Sequence, residues 1–184
     1  MKHAYQFIFL FLLLSCVKPK EAQIEVAPEI AWDAEQKIRE LGIDLPAASA
    51  PVANYVNAVR VGNLLFLAGK GPNLPEGGFV SGKLGGDLSV EQGREAARLV
   101  AIQQLAVLKS ELGDLNKVKR IVKVLGLVNS TDDFTQQPQV VNGFSDMMVE
   151  IFGEKGKHAR SAVGTNSLPM NIAVEVELIV EIED

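Results

Sequence analysis

Arg160 and Glu175 are the two residues of this chain whose placement calls for chemistry. They sit in "HARSAVGTNSLPMNIAVEVELIVEI", residues 158–182, where two extended apolar segments flank a Leu-Pro pair. A strand of Ala, Val and Leu has no need of a guanidinium at its mouth, nor of a carboxylate breaking an alternation of Val and Ile. A planar guanidinium can grip a carboxylate through two parallel hydrogen bonds. An edge-strand surface arginine and a solvated strand glutamate would account for the same two letters, so spacing alone leaves both readings open. Other chemistries find less support. One Cys and two His cannot build a structural zinc site, and no metal is expected. His158 has no nucleophile elbow to serve. "GKGPNLPEGG" matches neither the phosphate-loop pattern nor a dinucleotide fingerprint, so it reads as loop, with Gly69 where a ligand could meet backbone amides.

The elements that must position these residues follow from periodicity. Ile30, Ala34, Ile38 and Leu41 predict a short amphipathic helix over about 30–41, stopped by Gly42, with Trp32 packing it on the body. Gly62-Asn63 between apolar runs predicts a hairpin. "GGFVSGKLGGD" offers at most a short third strand. Ser89 three residues before Gln92 is a capping-box spacing, and Ala97, Ala101, Leu105, Leu108 and Leu112 line one face of the helix that follows. "KVKRIVKVLGLVNS" is strand-like. Val140, Phe144, Met147 or Met148, and Ile151 form a second helical stripe closed by Gly153. The segment around Arg160 and Glu175 supplies the last two strands. The order β-β-(β)-α-β-α-β-β, with hairpins expected at both ends, predicts an α+β fold: one sheet with two main helices on one face. The last strand puts Val174, Val176, Leu178, Val180 and Ile182 on one side and a mixed set headed by Glu175 on the other. The uncovered side suggests self-association.

The chain opens "MKHAYQFIFLFLLLSC". Its apolar run is too short to span a bilayer, which takes about 20 residues, and has the proportions of a signal peptide. Leu13-Leu14-Ser15-Cys16 resembles a bacterial lipobox, and Cys16 is the chain's single cysteine, so no internal disulfide can form. The expected organisation is a signal over 1–15, a polar tether over 16–28 and one domain over 29–184. The protein is then exported and held at a membrane through lipid on Cys16, on the cell-envelope or periplasmic side of a bacterium. Net charge is −5 with no basic run, so nucleic acid is not an expected partner.

"YVNAVRVGNLLFLAGKGP", "HARSAVG", "SLP" and "VEVELIVEI" together resemble the Rid family, the YjgF-type reactive-intermediate deaminases, from about Val52 to the end. The resemblance implies a chorismate-mutase-like fold and a homotrimer whose sheets form a central barrel, with ligand clefts between subunits. It implies that Arg160 binds the carboxylate of a 2-imino acid or its enamine tautomer, and that Glu175 holds or activates water. Hydrolysis then yields a 2-keto acid and ammonia, without a cofactor. Tyr55, Gly69, Asn142 and Ala162 fall where the family places cleft-lining groups. The sequence departs from the usual pattern at Ala68, where serine is common, at Ala162, where cysteine is frequent, and at Lys70-Gly71-Pro72, where Gln-Ile-Pro is more usual. Two functions stay open: an enzyme acting on imines, and a lipid-anchored trimer that captures a small carboxylate without turnover. Ribonuclease activity fits poorly with an acidic chain. Palmitate labelling of the whole chain, lost in Cys16→Ser, is the expected outcome for the anchor; an unlabelled wild-type protein overturns it.

Overall fold

The structure, a computed structural model, describes residues 32–183. The signal, the tether, Cys16 and the first residues of the expected leading helix lie outside them. Helix α1 (Ala34–Glu40) begins where Asp33 accepts a hydrogen bond from the Gln36 amide and ends ahead of Gly42, whose φ of +63° turns the chain. Trp32 docks it: the indole Nε1 donates to Ile151 O at 2.6 Å, and the ring lies over Gly153. Glu35 adds an ion pair to Lys109 at 2.7 Å.

Strands β1 (Ala58–Val61) and β2 (Leu64–Lys70) form the hairpin about Gly62. The glycine-rich stretch after β2 makes isolated bridges, such as Asn73 with Phe79 and Ser81 with Ile172, and no third strand. Helix α2 (Val90–Leu112) carries the full capping box between Ser89 and Gln92 and ends at Gly113 in the left-handed conformation. Strand β3 (Val118–Asn129), helix α3 (Gln137–Phe152), strand β4 (Ala159–Thr165) and strand β5 (Val174–Ile182) complete the domain.

The sheet order is β1-β2-β5-β3-β4. Here the expected second hairpin is corrected. β4 and β5 are not neighbours, because β3 lies between them, parallel to β4 and antiparallel to β5. A parallel neighbour needs a crossover, which α3 supplies. β2 is also parallel to β3, through the intervening β5, and α2 is that crossover. Both connections step the same way across the sheet. Crossovers of one hand stepping one way deposit their helices on one face. α2 covers β2 and β5, while α3 covers β3 and β4.

The core fills this sandwich. Ala97, Ala101, Leu105 and Leu108 from α2 and Val140, Phe144, Met147 and Ile151 from α3 are buried against Val124, Val176, Leu178 and Val180. Two glycines set the spacing. A Cβ on Gly143 would lie 2.0 Å from the Arg94 carbonyl oxygen, so the helices touch backbone to backbone there. A Cβ on Gly126 would lie 2.6 Å from Val141 Cγ2, so α3 sits close on β3. The opposite face has no helix and leaves Val59, Val61, Phe66 and Val163 exposed.

Gly143→Ala must push α3 off backbone that cannot yield, so it is expected to destabilise the domain by about 3 kcal/mol, the upper end of overpacking. Gly113→Ala creates no clash and should cost only about 1 kcal/mol of left-handed strain. Urea unfolding of the two variants checks the ranking.

Candidate functional site

Arg160 is the second residue of β4, opposite Val124, and shares that residue's helix-covered face. Its Nη1 donates to Asn142 Oδ1 at 2.9 Å and to Ser145 Oγ at 3.0 Å. Asn142 and Ser145 are three residues apart on α3, hence on one helix face. The close seat over Gly126 lets both reach the strand. Ala162, two residues after Arg160 and opposite Gly126, is half-buried on the same side. Ser145 Oγ also lies 3.0 Å from His158 Nε2, and His158 Nδ1 lies 2.6 Å from Gly156 O. Burial holds the His158 imidazole below its ordinary value; the Gly156 carbonyl opposes this and the Arg160 charge adds to it.

Glu175 belongs to a second place. It lies opposite Leu127 on β3, while Leu178, three residues along β5, lies opposite Val124. An odd separation along a strand reverses the face. Glu175 therefore projects from the uncovered side of the sheet and Arg160 from the helix side. Two strand spacings and three residues of offset put their Cα atoms about 14 Å apart. One chain does not bring the pair together.

The Glu175 carboxylate rests on Gly69, where an added Cβ would come within 2.0 Å of Oε1. Pairing of β2 with β5 slips between Leu67 and Lys70, so Gly69 occupies an irregular step. The buried Gln104 of α2 secures that step, donating from Nε2 to Ala68 O at 3.0 Å and to Val176 O at 2.7 Å. Burial raises the affinity of Glu175 for its proton, and the neighbouring Glu177 raises it further. Next along the chain from Gly69, Lys70 is buried at the end of β2, with Nζ 2.7 Å from Asn57 Oδ1 and 3.3 Å from Ser49 Oγ. It ties the preceding loop to the sheet. Burial lowers its pKa. Tyr55, on that loop, is exposed.

The structure thus sorts the expected residues into two groups: Arg160, Asn142 and Ala162 by α3, and Gly69 and Glu175 on the open side, with Tyr55 on the loop that Lys70 fastens. Ser145, His158 and Lys70 were not among the sequence candidates. The signal available for two of them was spacing: His158 is two residues from Arg160 and Ser145 three from Asn142. Among the described residues no three His, Cys, Asp or Glu side chains stand together as metal ligands.

A five-stranded mixed sheet with two crossover helices on one face, an edge-strand arginine pinned by the second of them and a half-buried glutamate on the bare face define an α+β class of protein. Within it, residues 35–182 match the family model described as "YjgF/chorismate mutase-like, putative endoribonuclease", and the chain belongs to the YjgF/RutC family. It is 46% identical over 148 residues to Protein TCP17 of Trypanosoma cruzi, covering 80% of this chain and 92% of that one. It is 32% identical over 142 residues to a 2-iminobutanoate/2-iminopropanoate deaminase of Dermatophagoides farinae, covering 77% and 95%. Among solved structures, the protein Atu1372 of unknown function from Agrobacterium tumefaciens superposes with a TM-score of 0.75 at 42% identity, covering 82% of this chain and 94% of that one. A Shewanella oneidensis protein described as a "putative endoribonuclease" superposes with a TM-score of 0.78 at 32% identity, covering 82% of this chain and 99% of that one. The fold is the YjgF/chorismate-mutase-like one expected from the sequence.

The proton affinity of Glu175 has a stability consequence. Its folded-state value lies above the ordinary 4.5, so just above that pH the folded protein keeps a proton that the unfolded chain has released. Stability from this group is full below 4.5 and is lost as pH rises through the folded value. Glu175→Gln should therefore melt higher than wild type at pH 7.5, with the difference closing below pH 4.5 in thermal scans.

Proposed function

We propose that the protein hydrolyses 2-imino acids, and the enamines that tautomerise to them, to 2-keto acids and ammonia. The observation that carries the reading is Arg160. One of its nitrogens is fixed by Asn142 and Ser145, and the rest of a charged, planar fork is left for a ligand on an edge strand. Such a fork fits a carboxylate. The deaminase named among the relatives supports the substrate class.

The chemistry is redox-neutral and asks the chain for positioning and proton transfer only. Arg160 holds the carboxylate next to C2. Glu175, with its raised proton affinity, protonates the imine nitrogen and then, as carboxylate, takes a proton from the incoming water. Water oxygen bonds to C2, the carbinolamine loses ammonia, and the C=O bond forms. Arg160 and Glu175 must then face each other across two chains, so this reading includes self-assembly. In it, edge strand β4 of one subunit lies beside the Gly69–Glu175 side of the next. A homotrimer with the bare sheet faces turned inward as a central barrel suits the exposed Val59, Val61 and Phe66. Export and a lipid on Cys16 belong to the same proposal and rest on the sequence. Capture of a small carboxylate without turnover is the second reading, since the Arg160 half is assembled within one chain.

An amino-acid oxidase generating 2-iminobutanoate, with 2-oxobutanoate release followed over time, tests the enzyme. Wild type should exceed the spontaneous rate, and Arg160→Ala and Glu175→Gln should not. Gly69→Ala should lose about a hundredfold by displacing the carboxylate roughly 1 Å or more. Equal rates with and without wild type overturn catalysis. Retained 2-oxobutanoate binding would then favour the second reading. A native mass of one subunit would overturn the enzyme reading, whose site needs two chains.

A further inference from the structure

The contacts around Arg160 assign every proton in a chain of four groups. Gly156 O is a carbonyl oxygen and only accepts, so His158 Nδ1, 2.6 Å away, carries hydrogen. In the neutral ring Nε2 is then an acceptor. Its partner at 3.0 Å is the Ser145 hydroxyl, which donates to it. That turns a lone pair of Ser145 Oγ toward Arg160 Nη1, the donor at 3.0 Å. The other Nη1 hydrogen goes to Asn142 Oδ1. Both hydrogens of Nη1 are used, and Nε and Nη2 make no hydrogen bond among the described residues. These two nitrogens form the side-on fork of a guanidinium.

We propose that His158 and Ser145 are positioning residues that commit Arg160 to receive a carboxylate on its Nε/Nη2 edge, and that protonating His158 undoes this commitment. This rests on the carboxylate clamp proposed above. With Nε2 also protonated, Ser145 Oγ faces two donors, and its own proton loses the acceptor it had. Burial and the Arg160 charge make that form costly. Arg160 stands two residues on, in β4, and Lys157 is the residue before His158. Arg120 of β3 lines the same pocket, with Ile121, Val122 and Ala159. The carboxylate on the preceding turn, Glu154, is paired with Lys157 at 2.7 Å. On α3, Asp146 and Glu150 are paired with Arg94 and Arg98 of α2. Among the described residues, the carboxylates of Glu154, Asp146 and Glu150 are thus each paired with a cation, and the half-buried ring keeps a pKa below the ordinary 6.5 through burial first and the Arg160 charge second.

The test uses the full-length protein carrying Glu175→Gln, which removes the other titrating group, and 2-oxobutanoate as the probe in calorimetric titration. At pH 7.5, Ser145→Ala and His158→Phe should each weaken binding about tenfold, the double variant no further, and Ser145→Thr should restore it. Affinity of the parent should fall as pH drops below 6.5, and that fall should vanish in Ser145→Ala. Nitrogen-15 NMR of the folded parent should show the Nδ1–H tautomer. An Nε2–H tautomer, or unchanged binding in Ser145→Ala while Arg160→Gln loses it, overturns the relay alone. Unchanged binding in Arg160→Gln overturns the clamp, and the relay's role with it.

Discussion

The parallel pairing of β4 with β3 is the constraint on which the candidate site depends. Parallel neighbours cannot be joined by a tight turn, so the chain must leave the sheet after β3, cross over it and return. α3 is that excursion, and it runs directly above the edge strand it has just made possible. Gly126 lets it settle closely enough for Asn142 and Ser145 to reach a β4 side chain. An arginine on an unsupported edge strand would sample many rotamers, since long charged side chains lose substantial entropy when fixed. Here the crossover supplies two acceptors to one nitrogen and leaves the remaining donors directed.

The opposite face follows from the same topology. Two crossovers in one direction leave the other side bare, and β5 at the sheet's centre carries Glu175, Glu177 and Glu181 there. Lys119 lies 2.7 Å from Glu181, whereas Glu175 has Gly69 and the half-buried wall around it instead of a cation. A carboxylate held without a counter-charge is a cost to folding. Such costs cluster at functional sites, and the proposed reaction asks Glu175 to move a proton. The irregular β2–β5 step gives its carboxylate room over Gly69. Gln104 reaches from α2 to hold two carbonyls there, so the sheet opens at Gly69 without unravelling.

Much of this was legible in the sequence because it is local. The Ser89–Gln92 box, the Gly62-Asn63 turn, the α2 and α3 stripes and the alternation of β5 each depend on residues a few positions apart, and each forms as its period predicts. The position of β3 between the last two strands was not legible. Nothing in the Leu168-Pro169 stretch distinguishes a hairpin from a connection that passes over a neighbour. That single misplacement also hid the opposed faces of Arg160 and Glu175, since relative facing depends on which strands pair and in what register. The Ser145–His158 contact joins a helix to the start of a strand across thirteen positions and carries no period of its own. The Lys70 tie to Ser49 and Asn57 is of the same kind.

The separation of the two halves also limits which assemblies could complete a site. A two-fold contact applies one patch to itself, so each partner must present both halves on the same surface. Arg160 lies toward α3 at the sheet's edge, while Glu175 faces the bare side nearer its middle, and one flat patch does not contain both. A head-to-tail contact has no such requirement, because it joins one patch to a different one and repeats the junction around an axis. For the proposed function, a head-to-tail contact that closes into a ring gives one complete site per junction.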